Sequence, residues 1–157
     1  MRVELPTADG HPPWRRREWR RRERRRQVRV PEALEALGGF ATREELLRMR
    51  CWSEAIDLAV YYRLVIRVRR AQYASLGTDP AVLRALRFGG RLACVSALAY
   101  YAGEVSPALH VLVRHGSSRH TRPPGEAVVV HWTRRDLAGS RLVVAEGVAR
   151  AQAATCG

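Results

Sequence analysis

An α+β fold is what this sequence predicts, and three observations carry the prediction. Ten arginines crowd the fifteen residues from Arg15 to Arg29. That density of one charge repels itself, so residues 1–30 read as a disordered Arg-rich arm. Residues 31–76 hold three short helical segments with recognisable ends, followed by a ribbon of alternating apolar and cationic residues. Residues 77–157 alternate helical stretches with β-rich runs, as a small α/β domain does.

The elements follow from their end signals. Pro31 suits a first-turn position, Leu34 and Leu37 share a face, and Gly38-Gly39 stops helix one. Thr42 with Glu45 three residues on has the capping-box spacing, and Leu46, Leu47 and Met49 supply the apolar side of a second helix running to about Arg50. Ser53 is placed to cap a third helix, in which Ile56, Ala59 and Val60 recur as a buried stripe while Glu54, Asp57 and Tyr61 face elsewhere. Ile66, Val68 and Tyr73 then alternate with Arg67, Arg69 and Gln72 as in a two-stranded ribbon. Helix, helix, helix, ribbon is the order of a winged helix-turn-helix. Beyond Thr78-Asp79-Pro80, helices are expected over Ala81–Phe88, ended by Gly89-Gly90, and over Val95–Tyr101. Strands are expected over Leu109–Val113, Ala127–Thr133 and Leu142–Val144, and a last helix over Glu146–Ala154.

Charge narrows the partners. The net charge is +13 over 157 residues, every basic residue is arginine, and the chain has no lysine. A P-loop of the G-x-x-x-x-G-K type, a Schiff-base lysine and a nuclease site of the acid-acid-lysine kind are therefore excluded. The surplus is concentrated in residues 1–30, with 11 arginines against 4 acids, while residues 31–76 carry 7 against 6. A cationic arm beside a near-neutral module suits a nucleic-acid binder, because guanidinium groups release counterions from a phosphate backbone without a fixed structure. Arg20, Arg21, Arg22, Arg24, Arg25 and Arg26 are the arm's candidate contacts. The bland account of the arm is a solvated charge run or an upstream start codon that adds non-native residues.

The longest uncharged stretch, Leu92 to Gly103, is 12 residues, short of the roughly 18 that cross a bilayer. No membrane association is expected. The paired arginines are not followed by a continuous apolar segment, so twin-arginine export is rejected and a cytoplasmic location expected. Cys51, Cys94 and Cys156 are odd in number and widely spaced, which points to buried thiols in a reducing compartment.

Within the winged helix, the residues placed to meet a duplex are Arg43, Ser53, Arg63, Arg67, Arg69, Arg70 and Gln72. Phosphate contact or minor-groove insertion by Arg67, Arg69 and Arg70 is weighed against a charged ribbon edge that merely resists aggregation. His110, His115, His120 and His131 invite a metal, but no cysteine or carboxylate completes a tight spacing with them, so neither metal nor cofactor is expected. HGSSR followed by the lone Glu126 lacks the paired carboxylates that hold magnesium for nucleotidyl transfer. No serine lies in a G-x-S-x-G turn, and no nucleophile is paired with a base. The expectation is a protein that is not an enzyme.

The run LGGFATREELLRMRCWSEAIDLAVYYRLVIRVRRAQYASL, then LRFGGRLACVSALAYYAG, LHVLVRHG and VVVHWT, resembles the amino-terminal part of AbiEi-like proteins, the antitoxins of type IV toxin-antitoxin systems. The same part also precedes very-short-patch-repair-like endonuclease domains. The resemblance covers roughly residues 31–157, with GGRLACVSAL and IRVRR its most specific pieces. It implies an operator-binding winged helix that represses its own operon and an α/β domain acting against a nucleotidyltransferase toxin. Where relatives carry glycine after the ribbon's arginine pair this chain has Ala71, and its third helix carries Glu54 and Asp57 where relatives are basic. Nothing after Gly157 is left to house an endonuclease, so a non-catalytic remnant of the fused branch is one alternative. A protein or RNA interaction module is another.

Overall fold

The computed structural model describes residues 29–117, 120, 122 and 124–156. The arm arginines Arg20, Arg21, Arg22, Arg24, Arg25 and Arg26, and with them the expected disorder of the arm, lie outside the described residues. The described chain is a mixed α+β structure with six helices and two three-stranded sheets.

The first helix, α1 (Val30–Ala36), carries Pro31 in its first turn and is closed by Gly38 and Gly39, both at positive φ. Such backbone suits glycine because no Cβ collides with the carbonyl. Val30, which the composition places in the arm, is buried in this helix. Strand β1 (Phe40–Thr42) leads into α2 (Arg43–Arg48). Thr42 and Glu45 make the expected reciprocal cap: the Glu45 N–H donates to Thr42 Oγ1 at 3.3 Å and the Thr42 N–H to Glu45 Oε2 at 2.8 Å. Helix α2 ends earlier than expected, and Leu47 is exposed where Leu46 alone of the pair is buried. A helix of six residues has room for a single inward stripe.

Helix α3 (Ser53–Tyr61) buries Ile56 and Ala59 as its spacing predicts. Ser53 does not cap it. Trp52 is the N-cap and makes no side-chain cap bond, while the Ser53 hydroxyl accepts a hydrogen bond from Arg43. Strands β2 (Val65–Arg69) and β3 (Gln72–Ser75) form the expected hairpin. It is a three-stranded sheet and not a two-stranded ribbon, because β1 pairs antiparallel with the far side of β3. The register aligns Phe40, Ala74 and Ile66 on one face and Ala41, Tyr73 and Arg67 on the other.

The alternation of the pleat gives this sheet two cores. Ala41, Val65 and Tyr73 join Val30, Ala33, Leu34, Leu46, Ile56 and Ala59 of the three helices. Phe40, Val68 and Ala74 instead join the core of the following half of the chain, with Val82, Leu86, Leu92, Val111 and Val144.

That second half begins with α4 (Pro80–Phe88), capped by Asp79, whose carboxylate accepts the Ala81 N–H at 2.7 Å. Gly89 ends it in a left-handed conformation. Gly90 lies so close to the strand Leu109–Arg114 that a Cβ would run into the Leu112 carbonyl and the Val111 side chain. Strand β4 (Arg91–Leu92), helix α5 (Cys94–Ala102), strands β5 (Leu109–Arg114) and β6 (Val128–Thr133), and helix α6 (Glu146–Thr155) follow. The second sheet runs β4-β5-β6, with β4 antiparallel and β6 parallel to β5. A parallel pair needs a crossover of a dozen or so residues, and the segment 115–127 supplies that length. Residues 142–144 form no strand. Isolated bridges, Leu92 to Val143 and Gly139 to Val144, pair them, and Val143 and Val144 are buried in the second core. No helix among the described residues is long and apolar enough to cross a membrane.

Candidate functional site

The β2–β3 hairpin and α3 enclose a groove of about 510 Å³ lined by Arg43, Asp57, Tyr61, Arg67, Arg70 and Tyr73. Arg43 sits at the start of α2 and reaches across the groove floor. Its guanidinium forks onto Asp57, with Nη1–Oδ1 at 2.8 Å and Nη2–Oδ2 at 3.0 Å, and also donates to the Tyr73 hydroxyl at 3.0 Å and the Ser53 hydroxyl at 2.5 Å. A bidentate fork of this kind fixes both partners. The hydrogen bond to Asp57, helped by that to Tyr73, raises the pKa of Arg43. The reciprocal bond from Arg43, with the charges of Arg43 and Arg67, holds the Asp57 carboxyl below the usual range. Of the two acids on α3, Asp57 is thereby matched within the protein, while Glu54 stays exposed.

Seven residues of the module were expected to face a duplex, and the structure divides them. Arg67 and Arg70 are exposed on the groove side of the hairpin. Arg43 lines the same region but is engaged with Asp57 and with the Ser53 hydroxyl. Arg63 is exposed just beyond α3, at a positive φ. Arg69 and Gln72 belong elsewhere, because the hairpin register shifts between Arg67 and Arg69 and the chain is re-aimed there. Both line a second cleft, of about 450 Å³, on the far side of the sheet. The Arg69 guanidinium lies against Gly89, where a Cβ would collide with it.

This second cleft gathers arginines that the sequence does not group together. Arg91, Arg114, Arg135 and Arg141 line it beside Arg69, with Asp136 opposite. Several of these are bonded within the protein. Arg91 donates to the carbonyls of Leu137 and Ser140 at 2.7 and 2.8 Å, Arg141 pairs with Glu45 at 2.9 Å, and Arg114 lies 3.7 Å from Asp136. They are scattered along the second half, so no local run announced them.

The outward face of α3 is unlike a basic recognition helix. Glu54 and Leu58 are exposed along it, and Tyr61, Tyr62 and Leu64 continue the exposed surface at its end, with Tyr61 77% accessible. Tyr61 and Tyr62 meet edge to face at 5.1 Å.

Two sequence expectations are corrected by the geometry around the second sheet. His110 and His131 do acquire sulfur neighbours: Cys94 and Cys156 converge on them, and the four ligand atoms lie within 4.8 Å of one another. Cys156 is also exposed, not buried, whereas Cys51 and Cys94 are buried as expected. The four residues are brought together only by tertiary folding, so a search for close ligand spacing misses them. No family model matches the chain, and no curated protein matches it.

Proposed function

We propose that this protein is a DNA-binding module in which residues 30–76 act as a winged helix-turn-helix and Arg67 and Arg70 hold the hairpin against the phosphates of a duplex. The supporting order is α1-β1-α2-α3-β2-β3 with the sheet order β1-β3-β2, a compact trihelical unit whose hairpin projects beside α3. The observation that carries the reading is the groove between α3 and the hairpin, where Arg43 neutralises Asp57 and leaves the charges of Arg67 and Arg70 available to a polyanion. Hairpin cations of this sort fix position on a duplex, and base contacts add sequence preference. Following the resemblance, the proposal extends to an antitoxin-like repressor whose second half faces a nucleotidyltransferase toxin in the cytoplasm. That extension is tested by co-purification with the product of a neighbouring nucleotidyltransferase gene.

The test of DNA binding removes residues 1–28 and measures affinity for operator and scrambled duplexes at two ionic strengths. The cut spares Val30, which is part of the core. Binding retained without the arm, with a preference for one sequence that persists at higher salt, supports the proposal. Loss of all affinity with the arm overturns it.

A second reading has its own observation. Leu58, Tyr61, Tyr62 and Leu64 expose apolar surface at and beyond α3, which suits a protein partner better than a major groove. Replacing Leu58 and Tyr62, which are exposed but do not line the groove, with serine separates the two, since it abolishes a protein contact while leaving hairpin–phosphate contacts in place.

A further inference from the structure

The second sheet and its two helices bring four soft or borderline ligands to one point. Cys94 opens α5, His110 lies on β5, His131 on β6, and Cys156 follows the end of α6. In the parallel pair His131 stands opposite Leu112, two residues from His110, so both imidazoles rise from the same face. His110 Nδ1 and His131 Nε2 are 3.1 Å apart, and the Cys156 sulfur lies 3.9 Å from the first and 4.0 Å from the second. Cys94 completes the set within the 4.8 Å that spans all four atoms.

These separations match one chemistry closely. Zinc bonds of about 2.3 Å to sulfur and 2.0–2.1 Å to nitrogen, at tetrahedral angles, put ligand atoms about 3.3 Å (N to N), 3.6 Å (N to S) and 3.8 Å (S to S) apart. The nitrogens are already near that spacing, the Cys156 sulfur stands a few tenths of an ångström too far from each, and the widest pair, within 4.8 Å, must close by up to about 1 Å. Two thiolates with two imidazoles is a zinc donor set.

Two surrounding features are accounted for by the same assignment. Cys94 has φ +50°, a left-handed backbone that non-glycine residues seldom adopt, and its N–H donates to Gln152 Oε1 on α6 at 3.0 Å. A strained residue held by a neighbouring element is a device for aiming a side chain. His110 is 8% exposed and its backbone N–H donates to Ser96 Oγ at 2.9 Å, so strand and helix hold this ligand from two sides. Burial, with His131 close by, keeps His110 below its ordinary pKa, and burial does the same for His131.

We infer that Cys94, His110, His131 and Cys156 form a structural zinc site that fastens the carboxyl-terminal end of α6 to the second sheet. Binding replaces the two thiol protons with one Zn²⁺, so two protons leave and the site carries no net charge. Four protein ligands close the coordination sphere, which suits a structural and not a catalytic metal. The site lies apart from the groove between α3 and the hairpin and stands whether or not that groove binds DNA.

The experiment uses the full chain, purified under reducing conditions, with metal content measured directly and the site refilled with Co²⁺. One equivalent of zinc per chain is expected, together with the visible absorption of tetrahedral Co²⁺ and a thiolate-to-cobalt charge-transfer band. Cys156→Ser and His131→Gln should each lose the bound equivalent or weaken it by at least tenfold. Far-UV circular dichroism verifies that the variants remain folded. Alkylation of Cys156 should be slow in the zinc-loaded protein and fast after chelation. A wild-type chain that takes up no stoichiometric Zn²⁺ or Co²⁺ overturns the inference. So does a metal equivalent retained unchanged by the folded Cys156→Ser, His131→Gln double variant, or a Cys94–Cys156 disulfide in the protein as it is isolated from cells.

Discussion

Replacing Arg67 and Arg70 with alanine is the sharpest test of the hairpin as a phosphate contact. Arg43 is consumed by Asp57 and Tyr73, and Arg69 turns toward Gly89, so the groove offers two arginines to a duplex. Each phosphate contact contributes about −0.9 to the slope of log affinity against log salt, so the double variant should flatten that slope by about 1.8. Between about 50 and 200 mM salt the slope difference amounts to roughly twelvefold in affinity, well outside the error of fluorescence anisotropy on a labelled duplex. Arg150→Ala serves as the control, because Arg150 pairs with Glu146 on the surface of α6. The slope of the control should be that of the parent. A double variant with an unaltered slope would mean that Arg67 and Arg70 touch no phosphate, and the groove would lose its assigned role.

Three further outcomes follow from local geometry. Ala71 holds φ +57° in the hairpin turn, so Ala71→Gly should raise stability by about 0.5–1 kcal/mol in a denaturant melt, the left-handed strain outweighing the added chain entropy. Glu45→Ala removes half of a capping box and the partner of Arg141, and should cost about 1–2 kcal/mol, the ion pair being discounted because both side chains are partly exposed. Burial works against the Glu45 charge, yet the Thr42 N–H, the Arg141 guanidinium and the Thr42 hydroxyl together hold its pKa below the ordinary 4.5. A depressed folded pKa means stability that is present above about pH 4.5 and is lost as pH falls through the folded value, so melts of wild type and Glu45→Ala should converge on acidification. Gly90→Ala drives a methyl into the Leu112 carbonyl and should cost about 3 kcal/mol, read as a fall in melting temperature; an unchanged melt would show that Gly90 does not approach Leu112 as described.

Much of this fold was written in short-range signals. The Thr42–Glu45 box, Pro31, Asp79 and the glycine stops at 38–39 and 89 placed helix ends within a residue or two, because capping chemistry is local. Strand β1 escaped notice because three residues between two helices show no alternation, and only pairing with β3 makes them a strand. The parallel register of β5 and β6 was equally hidden, since nothing in either strand states the direction of its partner. At the groove, Arg67 and Arg70 were legible as a cationic ribbon. The diversion of Arg69 was not, because it follows from a register shift. The capture of Asp57 by Arg43 joins two helices and needed their packing to be seen. Cys94 and Cys156 stand at opposite ends of the second half, so their meeting is a property of topology alone.

The first sheet gives one face to each core, and this makes it a party wall between two rooms. A protease that cut after Leu76 would free no intact half, because Phe40, Val68 and Ala74 would be left facing water while α4 lost its lining. Heat should therefore dismantle the chain in one cooperative step. A load on the hairpin, from whatever it grips, will be borne by the carboxyl-terminal half as well.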